Sequence, residues 1–440
     1  MVHTEASRNQ NQDARRQPFL QVHRAWWIVA VAAATIMASG AFSTMPGLLV
    51  EPLKQDFHWS HGIIGFAAWG NMACNGLVAP FAAATMERFG LRIVVATALL
   101  IISLGAGLTT VMNAPWQFTL YWGLLIGLGT GVMGGTLAAV VTSRWFVRRR
   151  GLATGILTAA SVFGQFVFLP VLAAIIEHTQ WRAGTVTVAL AAVLVAPLAW
   201  LLLRNHPADV GVAPYGADEL VSPPAPPERM FARPFEVLAR VSRTSTFWLL
   251  VGTFAICGMS TNGLMWTHFV PAAHDHGMPS TAAASLLTAI GIFNVAGTVA
   301  SGWLTDRYDA RWLLAGYYTL RGLVLLVLPT FLGPSVEPPL IIAVVLFGLL
   351  DVATVPPTIA LSAIRDAYGP KDSAIVFGWV FAAHQVGAGV MSFAAGLVRD
   401  MLHSYSAIWI TAAVLCGMAA VMALAIRKPE AQFVTERIRK

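Results

Sequence analysis

Two ionisable side chains stand far inside long apolar stretches of this sequence. Of the 21 acidic residues only Asp351 lies well inside such a stretch, and of the 28 basic residues only Arg321 does. An ionisable group in an apolar environment is costly and usually faces a partner or a wet cavity. The two residues therefore predict either a structural ion pair or a site at which Asp351 gains and loses a proton.

The usual residue patterns of catalytic sites are missing from the sequence. The three cysteines, Cys74, Cys257 and Cys416, all stand in apolar stretches and suit neither a disulfide framework nor a Cys-rich metal site. There is no phosphate-binding glycine loop, no metal-spaced His/Cys set and no nucleophile triad. We therefore expect no enzyme, no metal and no cofactor.

The elements that carry Asp351 and Arg321 follow from composition. With 57% hydrophobic and 11% charged residues and a mean hydropathy of +0.67, the chain does not suit a water-soluble surface. About 20 apolar residues are needed for a helix that crosses the bilayer. Twelve such spans are predicted at 26–50, 62–84, 93–112, 116–142, 151–177, 182–203, 246–271, 280–304, 312–332, 338–362, 373–399 and 404–426.

A proline-rich segment divides these spans into two groups of six. Residues 222–227 read Ser-Pro-Pro-Ala-Pro-Pro and cannot continue a helix. The predicted organisation is a tail at 1–25, a six-helix bundle at 26–203, a linker at 204–245, a second bundle at 246–426 and a tail at 427–440.

The basic residues predict which way the chain crosses the membrane. If the N-terminus is cytoplasmic, 24 Lys and Arg residues lie in cytoplasmic segments, and only Lys54, Arg182 and Arg399 lie outside. Basic residues concentrate on the cytoplasmic side of membrane proteins. Both termini are therefore predicted in the cytoplasm, and the net charge of +7 is an orientation signal that does not point to nucleic acid.

The two groups of spans are related by an internal repeat. The acid–arginine pair Glu87-Arg88, between the second and third spans, recurs between the eighth and ninth spans as Asp306-Arg307. Gly155 and Gly164 of the fifth span recur with the same separation in the eleventh span, as Gly378 and Gly387. This arrangement predicts a parallel duplication.

Two segments carry a resemblance to known transporters. Residues 302–311 (GWLTDRYDAR) resemble the loop motif of the major facilitator superfamily, and 144–155 (RWFVRRRGLATG) resembles its monocarboxylate-transporter branch, which includes bacterial members and the oxalate/formate exchanger. The resemblance covers the whole chain. It implies an all-α polytopic membrane protein with twelve transmembrane helices, in which two six-helix bundles expose a central cavity to each side alternately.

The loops with the repeated acid–arginine pairs are expected to form a charge-paired clasp between the bundles. Paired charges and helix ends on one side of the membrane would hold that side closed. The alternative is that they are ordinary surface charges. The residues concerned are Glu87, Arg88, Gly90, Arg92, Gly302, Asp306, Arg307, Arg311, Arg148, Arg149 and Arg150. The first copy of the motif departs from the pattern at Ala83 and Thr85.

The resemblance also implies positions for substrate contacts. Anion-binding members of the branch carry an Arg at the position of Thr298, and the oxalate exchanger has a Lys at the position of His384. A hydroxyl and an imidazole, which titrates near neutral pH, therefore replace fixed cations. This disfavours oxalate exchange and favours proton-linked transport of a weak organic acid or of a less charged substrate. Gln385 points about 100° away from His384, so we expect one of the two to face the cavity.

Other polar side chains within the spans are further candidates. Asn71, Asn75, Gln165 and Asn294 either line the cavity or bond neighbouring helices. His268, near the outer end of the seventh span, is either a gate or an interfacial residue. The drug/proton antiporters carry an Arg where this chain has Gly123. This difference makes drug export less favoured than transport of an organic acid.

The prediction is a secondary transporter of the bacterial inner membrane that moves a small organic acid, with proton symport, as a functional monomer. An exporter of hydrophobic or toxic compounds is the first alternative, and a ligand sensor that does not transport is the second.

Overall fold

The apolar stretches of the sequence fold as twelve long helices in the computed structural model, which describes residues 23–59, 61–222, 229–363 and 372–426. The first six are α1 (Arg24–Phe57), α2 (His61–Phe89), α3 (Leu91–Thr109), α4 (Pro115–Trp145), α5 (Arg150–His178) and α6 (Trp181–Leu202). The second six are α7 (Ser245–Asp275), α8 (Ser280–Thr305), α9 (Ala310–Val327), α10 (Pro338–Leu361), α11 (Ser373–Leu402) and α12 (Ser406–Ala425). The predicted all-α fold with twelve helices is confirmed.

Eleven of these helices have the length and hydropathy of membrane spans over their described residues, and α2 falls outside that set. Helix α2 has 29 residues, enough to cross a bilayer, but it carries the polar Asn71 and Asn75. The predicted tails and the proline-rich stretch lie almost entirely outside the described residues.

The internal repeat is visible in the packing of the two bundles. A side chain on Gly164 of α5 would meet the main chain of Met37 in α1, and a side chain on Gly387 of α11 would meet the main chain of Ala255 in α7. Small residues let helix backbones approach closely. The glycines that are related by the sequence repeat therefore occupy equivalent helix–helix contacts in the two bundles.

Helices α4 and α10 are both interrupted in mid-course. Helix α4 breaks at Met133 and Gly134, and α10 breaks at residues 352–354. Met133 and Val352 are as far apart in the sequence as the repeated acids Glu87 and Asp306, so the two breaks are related by the duplication. Gly134 has φ +62°, a conformation that glycine adopts at little cost. Broken helices are typical of the binding regions of transporters.

The linker contributes one short amphipathic helix, Arg233–Val241, which we call the linker helix. Its Arg233 guanidinium lies 3.7 Å from the carboxylate of Glu87 at the end of α2 and 2.5 Å from that of Asp372 at the start of α11. Arg240 also pairs with Asp372. The linker helix therefore bridges the two bundles, and we call this end of the molecule the linker side.

Candidate functional site

A cavity of about 520 Å³ lies between the two bundles, at the breaks in α4 and α10. Both bundles contribute to its walls. Seven of the polar residues predicted from the sequence line it: Asn71, Asn75, Gln165, Asn294, Asp351, His384 and Gln385.

The wall formed by the first bundle is built from amides and hydroxyls. Asn71 donates to the carbonyl oxygen of Trp122 at 2.9 Å, and Asn75 donates to the hydroxyl of Thr130 at 3.2 Å. Gln385 of the second bundle reaches across and donates to Asn75 Oδ1 at 3.4 Å. This wall carries neutral hydrogen-bonding groups, and part of their capacity joins helices to one another.

The opposite wall contains Asp351, at the end of the first half of α10. Its Oδ2 accepts hydrogen bonds from Trp266 Nε1 at 3.0 Å and from Asn294 Nδ2 at 2.9 Å. Its Oδ1 is buried and has no partner among the described residues. A buried acceptor without a donor is costly unless water, a proton or a ligand satisfies it. Asp351 therefore lines the cavity with a carboxylate whose second oxygen lacks a donor and can receive a proton.

Arg321 lies behind this wall, fully buried, and does not line the cavity. Its Nη2 donates to the carbonyl oxygens of Leu350 and Asp351, both at 2.5 Å, and its Nη1 contacts Cys257 and Ser260 at 3.3 Å. The expected side-chain ion pair with the Asp351 carboxylate is thus replaced by bonds to main chain. The break in α10 leaves its last carbonyls without helical donors, and the guanidinium supplies them.

His384 lies at the cavity between two aromatic rings. Its ring centroid is 4.9 Å from that of Phe254 and 5.8 Å from that of Phe381, and the latter ring is almost parallel to it. Its Nδ1 is 3.4 Å from Gln385 Oε1. Both His384 and Gln385 border the cavity, which corrects the expectation that only one would. The cavity is wide enough to meet two side chains that point in different directions from α11.

Two predicted contacts lie away from the cavity. The hydroxyl of Thr298 donates to Asn294 Oδ1 at 3.1 Å and so supports the residue that bonds Asp351. His268 packs within the second bundle, with Nε2 2.9 Å from the carbonyl oxygen of Ser392 and Nδ1 3.4 Å from the hydroxyl of Tyr405. Neither lines the cavity, so their expected role as direct contacts is corrected. The helix register, which the sequence alone leaves open, turns His268 toward α11 and α12, and the Thr298 hydroxyl bonds Asn294 one turn back on its own helix α8.

The linker side is closed by contacts between α5 and α8. The carboxylate of Asp306 accepts the main-chain N–H groups of Gly151 at 2.6 Å and Leu152 at 2.8 Å, at the N-terminus of α5. Such a position suits an anion because the N–H groups have no helical acceptors and the helix dipole is positive there. Gly302 packs against Gly151 and Gly155, where any side chain would meet main chain. Asp306 thus joins the two bundles as the clasp hypothesis requires.

The repeat-related contact lies between α2 and α11. A side chain on Gly378, the counterpart of Gly155, would meet the main chain of Pro80. Glu87 does not bind a helix end as Asp306 does, but pairs with Arg233 of the linker helix. The two copies of the loop therefore close the same side by different bonds.

The other predicted loop residues stay within their own half of the molecule. Arg92 donates to the carbonyl oxygen of Trp200, and Gly90 at φ +83° packs against Asn205. Arg311 binds the carboxylate of Asp309 and the carbonyl oxygen of Ile426. The Arg307 guanidinium, just past the end of α8, lies 3.7 Å above the ring of Trp303 in the last turn of that helix. The predicted clasp role of Arg92, Arg307 and Arg311 is therefore wrong for this conformation. Each of these side chains binds a partner in its own bundle and makes no contact with the other bundle among the described residues.

The remaining arginines of the predicted clasp, three between α4 and α5 and one in α2, lie in different surroundings. The N–H of Arg148 donates to the carbonyl oxygen of Tyr215 at 3.0 Å, and Arg149 has φ +56°. Nε and Nη2 of Arg150 are buried and find no partner in the described part of the chain. Arg88 lies in the last turn of α2.

Trp266, Cys257 and Thr158 also border the cavity and were not predicted from the sequence. None of them stands out by type in an apolar helix. A further signal was available in Gly134-Gly135, since adjacent glycines weaken a helix, but a small-residue packing face also accounts for them.

Comparison with known proteins agrees with this architecture. The model of the Major Facilitator Superfamily matches residues 30–357 and 255–439. A relative in Bacillus subtilis, described as the uncharacterized MFS-type transporter YcxA, is 26% identical over 404 residues, 91% of this chain and 94% of that protein. Monocarboxylate transporter 13 of Bos taurus is 28% identical over 339 residues, 76% of this chain and 73% of that protein.

Among solved structures, that of the transporter FucP in the outward conformation is similar, with 17% identity and a TM-score of 0.68 over 92% of this chain and 100% of that one. The family match spans nearly all described helices, the fold agrees, and the monocarboxylate transporters are among the relatives. The chain therefore belongs to the Major Facilitator Superfamily of membrane transporters, as a monocarboxylate-transporter-like member.

Proposed function

We propose that this protein carries a small organic acid across the bacterial inner membrane together with a proton, by alternating access. The observation that carries the proposal is the cavity itself, in which the free oxygen of Asp351 and the imidazole of His384 border the same space between the bundles. The relatives described as monocarboxylate transporters support the substrate class.

The link between proton and acid follows from electrostatics in the cavity. An organic anion that enters beside an ionised Asp351 meets like-charge repulsion, which is strong in a poorly solvated space. A proton on Asp351 removes that charge. The loaded carrier, with the anion and the proton both bound, is then the form that can change conformation at low electrostatic cost. The structure, closed on the linker side by Asp306, supplies one of the two end states that such a cycle needs.

Proteoliposomes test this proposal. Uptake of labelled acetate, propionate, pyruvate and lactate is measured with and without an imposed pH gradient, beside liposomes without protein. At least one acid should accumulate only when the gradient is present. Uptake that equals the protein-free control for every acid contradicts the proposal.

Export of hydrophobic compounds is the second candidate, and one observation favours it. Phe166, Phe254, Phe377, Phe381 and Trp266 give the cavity aromatic walls. Efflux of a lipophilic dye from cells that express the protein, without carboxylate uptake in liposomes, would favour this candidate over the first.

The linker side is proposed to face the cytoplasm. A cysteine in place of Ser222 in the linker should resist an impermeant maleimide added to intact cells, whereas a cysteine in place of Gln180, at the opposite end of the bundle, should react. The wild type, with Cys257 and Cys416 buried and Cys74 half-buried, serves as the blank. Equal labelling at both positions contradicts the orientation.

Transport is expected to depend on the charge of His384. If a protonated ring holds the substrate carboxylate, uptake falls once the pH is high enough to remove that proton. His384→Lys should flatten this profile, because Lys stays charged, and His384→Gln should lose the charge-assisted bond, about 1.5–3 kcal/mol of affinity. The initial rate of uptake against pH measures both. A pH profile unchanged in His384→Gln contradicts the role, and Gln385→Ala is the control for a neighbour on the same wall.

A further inference from the structure

The second half of α4 begins at the cavity wall and points its N-terminus into it. Gly134 and Gly135 border the cavity, and Gly135–Trp145 forms a helix of 11 residues. The first N–H groups of a helix have no acceptor within it. Gly134 supplies no side-chain cap, and in the described chain no acceptor is found for the N–H groups of residues 135–137. These donors and the positive end of the helix dipole are free at the cavity.

A second observation, from α5, points to a ligand at the same place. The Thr158 side chain is 6% exposed, borders the cavity, and its hydroxyl has no hydrogen-bond partner among the described residues. One turn earlier, Thr154 donates to the hydroxyl of Thr142 at 3.2 Å, which fixes the register of α5 against the second half of α4. The two helices run antiparallel, so Thr158 lies level with Ala138, in the first turn of the half-helix that starts at Gly135.

The repeat-related break in α10 has the opposite chemistry. Its second half, Val355–Leu361, has Pro356 and Pro357 in the first turn, and proline has no N–H to offer. In place of donors it has the acid Asp351 on the cavity wall. The duplication thus leaves hydrogen-bond donors at the break in the first bundle and a proton-accepting oxygen at the break in the second.

We infer that the substrate carboxylate binds at the N-terminus of the second half of α4, held by the N–H groups of residues 135 and 136 and by the hydroxyl of Thr158. This rests on the proposed function, since it assigns a carboxylate to the substrate. The fixed cation that the resemblance implied at Thr298 is absent, and the helix end supplies a positive group in its place. Main-chain N–H groups and a helix dipole carry no titratable proton, so this end of the helix binds the anion at any pH in the physiological range.

The site can be observed directly because Gly134-Gly135 is the only Gly-Gly pair in the sequence. Protein labelled with ¹³C-carbonyl,¹⁵N-glycine has a single amide nitrogen bonded to a labelled carbonyl, that of Gly135. The purified protein is titrated with the acid that shows the strongest gradient-driven uptake, and in parallel with the primary amide of that acid. The Gly135 amide signal should shift and saturate with the acid and should move little with the neutral amide. In His384→Gln the signal should reach the same shift at saturation, at a higher concentration of the acid.

Two variants separate the site from general packing. Thr158→Val keeps the shape of the side chain and removes the hydroxyl, and it should weaken binding of the acid about tenfold, as expected for a hydrogen bond to a charged group. Thr185→Val in α6, a buried threonine away from the cavity whose hydroxyl already bonds the carbonyl of Trp181 at 3.0 Å, is the matched control and should bind normally.

The outcomes distinguish the two proposals. An acid that is transported but leaves the Gly135 signal unmoved would place its carboxylate elsewhere, at His384, and would overturn this inference while the proposed function stands. Equal loss of affinity in Thr158→Val and Thr185→Val would also overturn it. If no acid of the panel is transported, the result contradicts the proposed function, and with it the inference that rests on it.

Discussion

Substitution of Asp351 by Asn is expected to abolish gradient-driven accumulation of the substrate. Asn has the same shape and can still accept from Trp266 and Asn294, so the hydrogen bonds at 3.0 and 2.9 Å can be kept. It cannot take up a proton. A pH gradient of one unit supports accumulation of about tenfold for one proton per anion, and this factor should fall to about one. Exchange of labelled for unlabelled substrate at equal pH should persist.

The matched control for this experiment is Glu337→Gln, an exposed acid at the start of the same helix α10. It should accumulate substrate as the wild type does. Accumulation in Asp351→Asn at the wild-type level would show that Asp351 serves only the structure. Thermal unfolding of both variants verifies that the fold is kept. Retained exchange shows that the liposomes still contain functional protein.

Substitution of Asp306 by Asn is expected to slow turnover with little change in substrate affinity. The carboxylate receives two N–H groups of α5, and an amide offers one neutral oxygen in its place. Loss of about 2 kcal/mol from the closed linker side, as expected for bonds to a charged group, shifts the ratio of the two conformations about thirtyfold. Asp306 does not line the cavity, so binding to the open cavity should remain. Exchange rates and binding affinity measured on the same preparation test this.

Arg307→Ala is the control for Asp306, because among the described residues Arg307, just past the end of α8, contacts Trp303 in the last turn of α8 and not the opposite bundle. Its effect on turnover should be small. Gly302→Val tests the same closure by packing, since its side chain would meet the main chain of Gly151 and Gly155, and it should slow turnover at least as strongly as Asp306→Asn. Affinity that falls tenfold in Asp306→Asn with normal turnover would contradict the clasp.

These predictions start from a structure in which the linker side is closed, and they assume the proposed alternation with a second conformation in which that side is open. Among the described residues, the polar contacts that cross between the bundles lie on the linker side and beside the cavity, whereas the ion pairs Asp56–Arg182 and Asp275–Arg399, at the other end, each stay within one bundle. The bonds of Asp306 and of the linker helix must therefore break when the linker side opens. Their strength sets how often this happens, and this is why the clasp affects rate more than binding.

Much of the fold was predictable because membrane crossing imposes strict requirements on sequence. A helix in lipid needs about 20 apolar residues, so the number and order of the helices follow from hydropathy alone. The repeat of acid–arginine pairs predicted two related bundles, and the repeated glycines Gly164 and Gly387 occupy equivalent packing positions. Helix ends were less certain: α1 continues to Phe57 and α2 to Phe89, several residues past the predicted ends. Interfacial turns can extend a helix without adding apolar residues.

The candidate site was only partly predictable. The sequence by itself determined that Asp351, His384, Gln385, Asn71, Asn75, Gln165 and Asn294 are costly inside a membrane and need a partner or a cavity, and these residues do line the cavity. Only the tertiary structure decided which way Thr298 and His268 face, that Arg321 binds main chain at the break in α10, and that the break in α4 presents free N–H groups beside Thr158. Residue type sets the cost of burying a side chain, but the rotation of each helix and the backbone at its breaks are set by packing against residues distant in the sequence, which no local pattern records.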